Sequence, residues 1–408
     1  MRPGIWSRGG LAHLLTAMLP SWLAWSASLA VLGWLAFAAT KAPGIVGLVF
    51  ALRLAPLVLL GVPVGILSDR FGRVRLLQIA NLLAAAIFVG LAVIAMSRTP
   101  SILVLFLVSI GLGVADAGRM VSGNNLVFEL AGELGPIRAF AASNFVGALG
   151  MMAGGALGGV ALSSSGAPLA AAIVAVGSTA TALLLFGVRD GHAPRSADLV
   201  SFSGALRDGL ALLRRVPTVG LLITVALEVE MFAFSCVALD PVFAGQVFLA
   251  GPVGLGLILA ARSLGRVVGA GALAVVHPRR SVGRTLVIAV LGFGVALAAY
   301  SQAPNLAVGL PLVLGAGIAS VVVDALVLPA LQGSVDAASR GRAAGLWVLM
   351  IGFQPIGVLE VGFVAQIAGA RFAQGLNGAL VAVFGLVLLA TSVGRRLKSI
   401  ETIGQPVA

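Results

Sequence analysis

Residues 65–75 read Gly65-Ile66-Leu67-Ser68-Asp69-Arg70-Phe71-Gly72-Arg73-Val74-Arg75. One acid and three bases are packed between two apolar runs, 43–66 and 76–97. Each run is about the 20 residues that a helix needs to cross a hydrocarbon core of about 30 Å. Within the turn, Gly65 is small enough for close helix approach, and Gly72 can take a backbone conformation that other residues resist. Asp69 can face the partly positive N-terminus of a neighbouring helix, while Arg70 and Arg73 can pair with acids from other helices. A charged turn between two membrane spans is the unit, and the chain repeats it.

Composition says why. Of 408 residues, 60% are hydrophobic and 10% charged, where a soluble domain carries about 25% charged residues. So few charges leave a large apolar surface for lipid to cover. Continuous runs rich in Leu, Ala, Val and Gly, without alternation or aromatic girdles, exclude a β-barrel and leave helices. The spacing predicts twelve spans near 11–38, 43–66, 76–97, 101–127, 138–162, 168–188, 217–239, 247–274, 284–301, 305–330, 343–366 and 373–394. The first run is too long for a cleaved signal peptide and reads as a retained helix. Cys236 is the single cysteine, so neither a disulfide framework nor a thiolate metal cluster is expected. His13, His192 and His277 lack ligand spacing, and no metal site is assigned.

The net charge of +12 would suit nucleic acid if gathered on one soluble segment, but the bases sit in short connections. Of the 26 Lys and Arg, nineteen fall in the tails and alternate connections on one side. Only Lys41, Arg98 and Arg371 fall on the other, and Arg53, Arg119, Arg262 and Arg266 lie inside spans. The positive-inside rule then places both termini in the cytoplasm. Six spans precede the polar connection 189–216 and six follow it. Four domains result: a six-helix bundle (1–188), a cytoplasmic loop with an interfacial helix through Phe202, Leu206, Leu210 and Leu213 (189–216), a second six-helix bundle (217–394) and a cytoplasmic tail (395–408). An offset of 209 positions lays Arg53 on Arg262 and Arg75 on Arg284, and one of 204 lays Arg138 on Arg342. Such parallel repeats mark one large transporter class. The expected fold is an all-α membrane protein of two pseudo-symmetric bundles.

The 65–75 stretch resembles the signature of the major facilitator superfamily, Gly-x-Leu-x-Asp-Arg-x-Gly-Arg-Arg, at the loop where that family carries it. The resemblance implies a latch that holds the halves together while the cytoplasmic side is closed. In it Asp69 meets the start of span 11, and Arg73 meets an acid at the inner end of span 4, for which Glu129 is the first choice. Gly150, Gly154, Gly158 and Gly159 in span 5 are similar to the family's antiporter motif, with Gly155 in place of its proline. Small residues at this spacing also pack membrane helices closely whatever the direction of transport. Arg53-Leu-Ala-Pro56 and the stretch 204–217 resemble the enterobactin-exporter and macrolide-efflux branch.

Charged groups inside spans cost about 2.5–3.5 kcal/mol each on insertion scales, so each is a candidate for function. The acids are Asp116, Glu228, Glu230, Asp324 and Glu360; the bases are the four intramembrane arginines. Proton coupling requires a carboxyl that loads and releases a proton as access alternates. Glu228, on a stripe with Thr224 and Ser235, is the first candidate, and Glu230 points away from it toward a partner such as Arg262 or Arg266. Asp116 and Arg119, three apart, can satisfy each other on one helix face. Arg53 and Arg262 can recognise an anionic substrate or pair with Asp116, Asp324 or Glu228. Trp22 and Trp25 fit either a flat amphipathic substrate or interface anchors.

No nucleotide loop, ligand cluster or nucleophile arrangement points to an enzyme. The expectation is a secondary active transporter working by alternating access in the bacterial inner membrane. It would export drug-like or siderophore-like compounds on the proton gradient with no cofactor. Its partners would be the substrate and the bilayer, not nucleic acid, with a monomer as the unit. Proton-coupled uptake of a small metabolite and a non-transporting membrane receptor are the alternatives.

Overall fold

The computed structural model describes residues 8–97, 99–132, 135–188, 212–213, 215–276, 282–336 and 339–391. Twelve helices among them are long and apolar enough to cross a membrane. They are α1 (Arg8–Thr40), α2 (Pro43–Phe71), α3 (Arg73–Ser97), α4 (Ile102–Glu129), α5 (Pro136–Ser164), α6 (Gly166–Leu184), α7 (Pro217–Val247), α8 (Gly251–Val276), α9 (Val282–Ser301), α10 (Leu306–Gly333), α11 (Arg340–Ile351 continued by Gln354–Ala368) and α12 (Ala370–Ala390). Local chemistry sets several ends. The Ser101 hydroxyl and the Asn305 amide oxygen accept N–H groups at the starts of α4 and α10, donors that a helix cannot satisfy internally. Gly72 adopts φ 92° between α2 and α3, a conformation that costs glycine little. The proposed interfacial helix of 189–216 lies almost wholly outside the described residues.

α7 departs from its expected end near 239. Asp240-Pro241 looks like a stop, since proline cannot donate to a helix ladder. The chain instead continues by changing its pitch. A regular helix to Glu228 gives way to a π-turn at Val229–Ala233, a 3₁₀ stretch at Phe234–Leu239, a short α-turn, and a second π-turn at Phe243–Val247. Wide and tight turns re-pair the backbone groups that a proline would otherwise leave unsatisfied in lipid.

The chain forms two compact units. The first takes α1–α6 within Met1–Ala197 together with Asp240–Leu264, so the end of α7 and the start of α8 pack with it. Pro241 lies against Gly33, and Gly245 against Phe37. One apolar cluster of it has Leu14, Leu126 and Leu185 fully buried. The second unit spans Asp198–Leu239 and Gly265–Ala408. There α9 and α12 approach closely because Gly378 and Gly294 present bare backbone to Ala298 and Ala382. Apolar side chains such as Leu59 (74% exposed) and Phe186 (77% exposed) cover the outside, a surface suited to lipid and not to water.

Candidate functional site

In the 65–75 turn, Arg73 opens α3 and Glu129 closes α4. An arginine at a helix N-terminus and a glutamate at a C-terminus each sit beside a partial charge of their own sign. Joining them relieves both, and Arg73 Nη1 donates to Glu129 Oε2 at 3.0 Å. The glutamate side chain is 2% exposed. Behind this pair the buried Ser68 and Ser122 hydroxyls meet at 3.1 Å, tying α2 to α4. Arg70 is exposed, with its guanidinium over the Phe71 ring. The Asp69 side chain lies outside the described residues. A Cβ built on Gly65 meets no described atom within 4 Å, so no close helix approach is seen there among the described residues.

The glycines of α5 face two ways. Gly150, Gly154 and Gly158 stack at four-residue spacing on Leu19, Leu23 and Ala27 of α1. Gly159 faces the other side, where a Cβ would lie 2.7 Å from Gly256 Cα of α8. At Gly155, the position of the missing proline, a Cβ would lie 2.7 Å from Leu259 Cβ. That approach leaves no room for a proline ring, and α5 runs unbroken from Pro136 to Ser164.

Three intramembrane charges of the first unit form one cluster. Arg53 donates from Nε to Asp116 Oδ2 at 2.7 Å and from Nη1 to Ser28 Oγ at 2.8 Å. Arg119 donates to the other oxygen of Asp116. Asp116 and Arg119 therefore do not form a closed pair, because Asp116 is shared between two guanidinium groups. Trp25 lies under Arg53, 5.7 Å from ring centroid to guanidinium. Trp22 meets Trp25 edge to face and packs on Gly147 and Gly150.

Sequence reasoning missed Asp240. Arg262 donates to both of its oxygens, at 2.7 and 3.0 Å, and Asp240 is 1% exposed. The Asp-Pro step disguised it as a loop residue, although an acid within an apolar run was the signal. With Arg262 taken by Asp240, its expected pairing with Glu230, Glu228 or Asp324 does not form. Arg266 likewise goes elsewhere, to Asp324 Oδ2 at 2.9 Å and Ser320 Oγ at 3.2 Å.

Glu230 is thereby left with no hydrogen bond or ion pair among the described residues. It lines a cleft of the second unit with Ala226, Val229, Phe234, Val323, Asp324, Val327 and Trp347. Glu230 lies within a π-turn. Its bond from Phe234 N–H to Val229 O spans one residue more than an α-turn, which displaces the face of every later residue. The stripe expected for Thr224, Glu228 and Ser235 is broken for the same reason: Thr224 is exposed, whereas Ser235 is fully buried and bonded to Met231 O. Glu228 is half-buried and does not line the cleft. Elsewhere in this unit Glu360 accepts Asn377 Nδ2 at 3.0 Å, one turn from the buried Gln374. No group of three or more His, Cys, Asp or Glu suited to a metal exists among the described residues.

These features are a charged turn clamped to α4, glycine contacts along α5, and an intramembrane aspartate shared by two arginines. The family model of the Major Facilitator Superfamily matches residues 14–359. The chain belongs to that superfamily. A member of it is a transporter and not an enzyme. This facilitator is 25% identical over 335 residues to the enterobactin exporter EntS of Citrobacter koseri, covering 80% of this chain and 78% of the exporter. Solved transporters share its fold at low identity. A variant of the peptide transporter POT superposes with a TM-score of 0.74 at 13% identity, covering 97% of this facilitator and 96% of that chain. The nucleoside transporter NupG gives 0.69 at 15%, covering 93% and 98%. A bacterial homolog of the human lysosomal transporter Spinster, inward-facing and occupied, gives 0.70 at 15%, covering 97% and 98%.

Proposed function

We propose that this facilitator is a proton-coupled exporter of small amphipathic molecules, with Glu230 as the carboxylate that carries the proton. The observation that supports it is the combination at the α7–α10 cleft. A carboxylate unpaired among the described residues lines a small cavity beside an Arg266–Asp324 pair. A carboxyl already locked to an arginine cannot cycle its proton without breaking that bond, and an unpaired one can. Glu230 replaces Glu228 as first candidate on this ground. Export is favoured by the enterobactin-exporter relative. On this reading the protein sits in a bacterial inner membrane as a monomer with both termini in the cytoplasm, and Asp69, Arg73 and Glu129 form the cytoplasmic latch.

Everted membrane vesicles test it. With the lumen acidified, so that protons flow outward, the wild type should accumulate dye. Glu230→Gln should abolish the gradient dependence, while Glu228→Gln should keep most of it. Normal pumping by Glu230→Gln removes the assignment, and substrate loss from the vesicles on acidification reverses the direction.

A further inference from the structure

Polar groups collect at one end of the second unit, where α12 packs against α9 and α11. Glu360 of α11 accepts Asn377 Nδ2 of α12 at 3.0 Å. A carboxylate takes donors only, so this pairing fixes the amide and turns the Asn377 oxygen away from Glu360. That oxygen is buried with no hydrogen-bond partner among the described residues. One turn earlier, on the same buried face, stands Gln374, and both its amide atoms are buried and unpartnered among the described residues. Asn377 is 0% exposed and Gln374 1%. Close backbone contacts hold α12 in this rotation. Gly378 presses on Ala298 of α9, and a Cβ on Gly375 would lie 2.9 Å from the Ser301 hydroxyl.

Buried amides nearly always have partners, and lipid supplies none. The atoms left open show what is missing. Three are acceptors, namely Asn377 Oδ1, Gln374 Oε1 and the second oxygen of Glu360, against one donor, the Gln374 amide nitrogen. Glu360 has no ion pair among the described residues, and Arg371 on α12 donates instead to the Ser301 carbonyl at 2.8 Å. A carboxylate with amide oxygens is a hard donor set, suited to alkali and alkaline-earth cations. Its single negative charge balances a monovalent ion and leaves a divalent one overcharged. We propose that Glu360, Asn377 and Gln374 bind a sodium ion that fastens α11 to α12. Glu360 is half-buried, so water completes the coordination from its open side. The site shares no residue with the cavity beside Glu230, and it does not rest on the transport reading.

Melting of the purified full-length protein in detergent tests this, with sodium chloride compared with N-methylglucamine chloride at equal ionic strength. Sodium at about ten times its Kd should raise melting by about 3–6 °C, and the rise should grow with the logarithm of its concentration. Glu360→Gln keeps the shape and removes the charge, so the sodium shift should vanish while melting in N-methylglucamine holds. Gln374→Leu should melt at or above the wild type without sodium and lose most of the shift with it. A side chain that served packing alone would not produce that reversal. Equal melting of the wild type in the two salts overturns the proposal and assigns the open atoms to a buried water. A sodium shift that survives in Glu360→Gln overturns it as well, because the ion then binds elsewhere. A larger shift with calcium than with sodium overturns the monovalent assignment.

Discussion

Asp240→Asn is the sharpest perturbation of this fold, because it deletes one charge at nearly constant shape. The Asp240 side chain is 1% exposed and its partner Arg262 is 12% exposed. The arginine donates twice to the carboxylate, and its buried Nε has no other partner among the described residues. Removing the carboxylate leaves a guanidinium charge in a low-dielectric interior, a defect that costs about 3–5 kcal/mol. At about 2–4 °C per kcal/mol for a unit of this size, melting should fall by roughly 6–20 °C. The protein carries its own reporter. Cys236 is the single cysteine, is fully buried, and lies on the same segment as Asp240. A fluorogenic maleimide would therefore read the opening of α7 directly. Replacing both partners, Asp240→Leu with Arg262→Leu, should recover most of the loss, since no charge is then stranded. Melting of Asp240→Asn within about 2 °C of wild type would refute the reasoning. A double variant as unstable as the single one would place the defect in packing rather than charge.

Gly155→Val should destabilise by about 1–3 kcal/mol, because its side chain must displace Leu259; Gly65→Val, facing open space, should melt like wild type in the same maleimide assay. Gln374→Leu should leave stability unchanged or raise it by about 1 kcal/mol, since both amide atoms are buried without a partner among the described residues. Loss of thermal stability in that variant would show that the amide has a partner. Arg73→Ala and Glu129→Gln should each cost about 1–3 kcal/mol. Their double variant should cost little more than either alone, and a fully additive cycle would show that the two residues do not interact.

Lipid insertion is decided segment by segment, and the twelve apolar runs and their charged turns were readable from residue order alone. So were the turn at Gly72, the four intramembrane arginines and the family signature. Each depends on a short window meeting lipid or water on its own terms. Partner choice does not. Arg262 has several acids in reach by sequence, and only the packing of α7 beside α8 selects Asp240, leaving Glu230 without a partner among the described residues. The helix period that grouped Thr224, Glu228 and Ser235 assumed a uniform pitch, and the π-turn at Val229–Ala233 removed that assumption. Gly155 reads as a lost proline in the sequence, whereas in the fold Leu259 occupies the space that any side chain would need. Composition and local spacing determined what crosses the membrane. Which buried charge is left unpaired was decided only when distant helices came together, because ion pairing depends on distances that the chain order does not contain.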